Sequence, residues 1–189
     1  MPDRLYLSLW LRDFQPDNMH ARFLRLLKTF PFSRLRPGIA SLRVHAVAES
    51  EPPLLEQSFA AAPELEEIVR IARQYREPDC AFVVEAWWEL WQWESEWRLL
   101  PSRVALWCFG PEFENDIGDH LRIELGLEVQ FLPQMSLPQG GRMAGSNLRS
   151  VVRLAEELDK ALPLVRRQLW SESGENFAAL VDTALRQTD

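Results

Sequence analysis

The side chains best suited to chemistry crowd into one stretch, FVVEAWWELWQWESEW from Phe82 to Trp97, which holds five of the eight tryptophans and four glutamates. Read with the period-two alternation of a strand, Phe82, Val84, Ala86, Trp88 and Leu90 make an apolar core face. Val83, Glu85, Trp87, Glu89, Trp91 and Trp93 make the other face, mixing large aromatics with carboxylates. Indole rings offer stacking and cation–π surface, and carboxylates between them can accept from sugar hydroxyls or pair with a cation. Glu85, Trp87, Glu89, Trp91 and Trp93 are therefore the ligand-binding candidates. Glycoside cleavage would need two carboxyls facing each other across a bond, whereas alternate residues of a strand share one face about 7 Å apart, so the spacing assigns no acid and no base. The competing expectation is a second layer. Leu148 to Trp170 is apolar at Leu148, Val151, Val152, Ala155, Leu158 and Leu162, and it carries Arg149, Arg153, Lys160, Arg166 and Arg167, which could cover the indoles and meet the carboxylates.

A second candidate is the run PQMSLPQGGRMAGSN from Pro133 to Asn147, where Gly140, Gly141 and Arg142 precede a helix whose exposed amides would favour an anion. The Gly140 to Gly145 spacing resembles part of a P-loop. Ser146 and Asn147 stand where Lys and Ser or Thr would be required, so nucleotide hydrolysis is not expected, and a plain flexible linker fits as well. His20, His45 and His120 lack the short spacings of a metal site, and no metal or cofactor is expected. Asp13 with His20 and Glu112 with His120 allow either a pseudo-symmetric metal or acid–base site or a repeated structural contact. No G-x-S-x-G elbow occurs, and Cys80 and Cys108 lack C-x-x-C spacing, which reads as two buried reduced thiols. An enzyme is accordingly the second reading and a binding protein the first.

Composition narrows the partners. A net charge of -7 argues against nucleic acid and anionic membranes, both of which call for basic patches. Residues 1 to 48 carry eight Arg and Lys against three acids, which leaves the remainder strongly acidic. That remainder could present an acidic face to a basic protein. The N-terminus shows no apolar targeting segment and no stretch reaches the length of a membrane span, so a cytoplasmic location is expected.

The elements that must position these groups follow from periodicity. Leu5 to Arg12 alternates as a strand, Asp17 to Phe30 carries a helical stripe, and Ile39 to Ala48 and Leu54 to Phe59 read as strands. A helix after Pro63 has acids early and arginines late, in line with its dipole, and the Trp-rich strand comes next. Beyond it the pattern predicts a strand at Val104 to Phe109, a helix near Asp116 to Leu125, a strand at Glu128 to Leu132, and C-terminal helices with a kink or a break at Pro163, the last carrying Phe177, Leu180, Val181, Ala184 and Leu185.

This order predicts an α+β protein with a ferredoxin-like βαββαβ antiparallel sheet and C-terminal helices packed on it. Leu9-Trp10 and His20-x-Arg22 line up with Leu106-Trp107 and His120-x-Arg122, which would make the chain a duplication. The expected units are 1–92, a ferredoxin-like α+β half; 93–133, a second strand–helix–strand unit and partial repeat; 134–147, the Gly/Pro-rich linker; and 148–189, a helical segment. The expected function is binding of a protein partner or self-association through the acidic, Trp-rich surface, with a sugar or cationic ligand on the Trp/Glu face as the alternative. A neutralising partner for a basic protein, such as an immunity protein for a toxin, would suit these features.

Overall fold

Alternating apolar and polar side chains become a strand where a partner strand is within reach, and here all seven find places in one sheet. The computed structural model describes residues 3–134 and 136–173. The strands are β1 (Arg4–Leu11), β2 (Ile39–Ala46), β3 (Leu55–Ser58), β4 (Cys80–Trp93), β5 (Trp97–Phe109), β6 (Leu121–Leu127) and β7 (Leu164–Ser171), ordered β3-β2-β4-β5-β6-β1-β7 with every neighbouring pair antiparallel. Among the described residues three helices, α1 (Met19–Thr29), α2 (Leu65–Ala72) and α3 (Gly140–Ala161), pack on one side of it.

That side is the core. Met19, Phe23, Leu26 and Leu27 of α1, Ile68 and Val69 of α2, and Leu148, Val151, Leu154 and Leu158 of α3 meet the sheet residues Leu5, Leu7, Leu9, Leu42, Val44, Leu106 and Ile123. Phe82, Val84, Ala86, Trp88 and Leu90 lie there as the alternation requires. Trp88 is 1% exposed and donates from its indole N–H to the Leu125 carbonyl at 3.2 Å, so its one polar atom is satisfied. Burying each such side chain contributes about 1.5–3 kcal/mol.

The strand order does not show the ferredoxin-like arrangement. β1 lies between β6 and β7, its Leu9 opposite both Leu121 and Arg167, rather than among the strands of the first ninety residues. The helix expected near Asp116 to Leu125 is instead a loop followed by β6, because Gly118 turns the chain at φ +68° and Leu121, Ile123 and Leu125 alternate into the core. His20 thus sits in α1 whereas His120 precedes a strand, and the two aligned blocks take different secondary structure. Glu128–Phe131 forms a 3-10 turn in place of the expected strand.

Pro163 ends α3 outright instead of kinking it. Leu162 is already extended at ψ 147°, and the following residues pair with β1 as β7, so the expected second helix there is a strand. The helix itself begins at Gly140, inside the expected linker. The last predicted helix, from Phe177 to Leu185, lies outside the described residues. Among the described residues no helix is long and apolar enough to cross a membrane.

Candidate functional site on the helix-free face

Residues directly opposite one another on neighbouring strands share a face of the sheet, so the pairing itself defines what the helix-free side presents. One row runs Arg43, Val83, Trp107, Arg122, Ser8, Gln168, and the next runs Ser41, Glu85, Ala105, Glu124, Tyr6, Trp170. A third row pairs Trp87 with Arg103. Among the described residues no helix covers these rows, but the loop from Gly110 to His120 folds over one end, where Ala81, Val83, Trp107, Phe109 and Phe113 form a small second core.

The aromatic rings and one guanidinium on this face make a continuous stack. Trp107 and Phe109 lie parallel at 5.4 Å, Arg122 sits 4.7 Å over Phe109 and 5.9 Å from Trp170, and Trp170 stacks on Tyr6 at 4.4 Å. Arg122 is held there by Asp119 and Asn115, and Asp119 also accepts from Ser8 Oγ at 2.5 Å. The Trp170 indole N–H donates to Ser8 Oγ at 2.9 Å. Tyr6 donates to Glu172, and burial together with that carboxylate pushes its phenol far up, so it stays protonated.

Beside the stack, over Ala105, opens a hollow of about 520 Å³. Ala105 supplies no bulk, and the longer side chains around it form the walls: Glu85 and Glu124 from the neighbouring strands, Trp107, and a rim of Arg4, Arg43 and Arg103. Glu85 is bound by Arg43 at 2.9 Å and by Arg103 from the other side. Glu124 accepts from Arg4 at 2.8 Å and from the Trp107 indole at 2.9 Å. Glu85 and Glu124 are thus both engaged as ion-pair partners. A smaller hollow of about 380 Å³ lies toward the loops, and Glu49 lines both.

The five candidates on β4 separate into different roles. Glu85 forms part of the hollow. Trp87 is half-buried with the Arg36 guanidinium 3.8 Å over its ring. Glu89 accepts from Ser33 Oγ and from the backbone N–H groups of Arg34 and Leu35, which anchors the loop after α1; these donors, the Arg34 amide first, hold its carboxyl below the ordinary range. Trp91 and Trp93 are half-buried farther along the arm made by β4 and β5, with Trp93 edge-on to Trp97 at 5.5 Å. The helix α3 does not cover these indoles; it packs on the opposite face, and reaches β4 through Asn147, which bonds the Trp91 backbone.

Gly140, Gly141 and Arg142 form the first turn of α3. Gly140 has a packing reason to lack a side chain, since a Cβ there would lie 2.0 Å from the Gln134 carbonyl oxygen. His20 reaches the carbonyls of Ala72 and Tyr75, and His120 accepts from the Leu11 N–H, so neither is brought against Asp13 or Glu112. Both thiols are buried, which pushes Cys80 up to about 11 and Cys108 higher still. Among the described residues no group of three or more His, Cys, Asp or Glu stands together in a way that could hold a metal ion. Six further lining residues of the hollow, Arg4, Arg43, Arg103, Ala105, Trp107 and Glu124, come from four strands, and only their place on the polar side of each strand marks them in the sequence. Comparison with protein-family models, with curated proteins and with solved structures finds no match to this chain.

Proposed function

We propose that this is a binding protein and that a protein partner docks on the helix-free face of its sheet. The half-buried Arg122 and Trp170, seated on the buried rings of Trp107, Phe109 and Tyr6 beside an arginine-rimmed hollow, carry this reading. Tyr, Trp and Arg are the residues that concentrate binding energy at interface centres, because they bring large contact area on stiff side chains. Arg4 and Arg103, with more than half of each side chain exposed, can exchange their internal carboxylates for groups of a partner. A sugar or cationic small ligand in the same hollow is the second reading, favoured by a volume of about 520 Å³, which falls in the range of small-molecule sites.

Affinity capture from the host cell tests the proposal, with the full chain as bait in three forms: wild type, Ala105→Arg to fill the hollow, and Val152→Arg on the exposed side of α3 as control. A protein held by wild type and control and lost at least about tenfold by Ala105→Arg, a difference of about 1.4 kcal/mol, is the expected result. A partner held equally by all three forms overturns it. Sedimentation of the purified chain tells self-association from a foreign partner.

A further inference from the structure

The smaller hollow lies between the turn after β2 and the loop that covers Phe109, and its lining is asymmetric. Phe113, 7% exposed, and Phe109 form an apolar floor, Ile117 stands 42% exposed at its side, and Glu49, Glu114 and Asp116 stand exposed at the rim. None of these three acids makes an ion pair among the described residues. The only cation in the lining among the described residues, Arg122, is already held by Asp119, Asn115 and the ring of Phe109. The sequence explains the imbalance, since no Lys or Arg occurs between Arg43 and Arg70 or between Arg103 and Arg122.

We propose that this hollow receives a lysine or arginine side chain of the partner protein, so that the partner is basic where it meets this end of the face. The inference rests on the docking face proposed above and specifies its partner. A long cationic side chain fits because its methylenes can lie on Phe113 and Ile117 while its charged head reaches the acids. An anionic group would meet three carboxylates with no free cation opposite them among the described residues. The rim is held ready by backbone bonds, from the Glu114 N–H to the Val47 carbonyl at 2.7 Å and from the Glu112 N–H to the Pro78 carbonyl at 2.9 Å, so little ordering remains to be done on binding.

The test is titration of the ¹⁵N-labelled full chain with L-arginine methyl ester, followed by amide shifts, against sodium chloride and sodium glutamate at matched ionic strength. Saturable shifts confined to Ala48–Ser50 and Glu114–Ile117, with a dissociation constant on the order of 1–10 mM, are expected for a single side chain held by exposed contacts. Glu114→Gln with Asp116→Asn should weaken them about fivefold, while Glu64→Gln with Glu156→Gln, equal in charge change, should leave them in place. Shifts that do not saturate, that glutamate reproduces, or that both double variants reduce equally overturn the inference. If they fail while capture still depends on Ala105, the docking face stands and only its basic partner falls.

Discussion

The guanidinium of Arg36 lies 3.8 Å from the ring centroid of Trp87. The tryptophan that the alternation of β4 turns toward the helix-free side is thereby capped by a cation of its own chain, in the loop that Glu89 anchors. Replacing Arg36 by Ala should cost no more than about 1 kcal/mol, as expected for an exposed cation–π contact, while raising acrylamide quenching of the fluorescence. The added quenching should vanish in a Trp87→Phe background. Unchanged quenching in Arg36→Ala would mean that something else covers this ring.

Asn147, 1% exposed, uses its side-chain amide to accept from the Trp91 N–H at 2.8 Å and to donate to the carbonyls of Trp91 and Gln130 at 3.0 and 2.7 Å. Trp91 lies beyond the reach of β2, whose pairing with β4 ends at Ala86, so one side chain of α3 supplies what a neighbouring strand would. Asn147→Leu leaves three buried backbone groups without partners and should destabilise the protein by about 2–4 kcal/mol in urea unfolding. A loss under about 1 kcal/mol would show that water replaces the amide.

His20 and His120 both titrate below the ordinary histidine value, chiefly because burial disfavours the charged ring; Asp119 offsets part of this for His120. His120 also accepts from the Leu11 N–H through Nδ1 at 2.9 Å, a bond that protonation abolishes. The folded values lie below the unfolded ones, so their contribution is fully present above about pH 6.5 and is lost as pH falls through the folded values. Each ring sets a slope of at most about 1.4 kcal/mol per pH unit. Urea midpoints should therefore drop between pH 7.5 and pH 5, and less steeply in His120→Gln. Midpoints that do not change over that interval would refute the assignment.

Where a stretch's own periodicity fits one element type alone, its fate was legible. Leu5 to Leu11, the stripe Met19, Phe23, Leu26, Leu27, and the division of β4 into a core face and a helix-free face all follow from periodicity. β7 was less legible because its partner β1 lies more than a hundred residues earlier, and β6 because it closes between β5 and that same distant strand. Leu121, Ile123 and Leu125 do alternate, but the stretch containing them also satisfies a short helical stripe, and only pairing with β5 and β1 decides. The same holds for the hollow, since Ala105 becomes a floor only when Glu85 and Glu124 arrive on either side.

The position of β1 also governs when the molecule can be finished. Leu5 pairs with Gly126 on one side and with Ser171 on the other. At about 5–20 residues per second, the ribosome delivers the second partner roughly 8–33 s after the first strand emerges. The β2–β5 portion can close meanwhile, because its pairings are local along the chain. The leucines of β1 wait roughly 6–24 s of that interval for β6, the first strand they can pair with, which makes the opening strand the segment most in need of protection during synthesis.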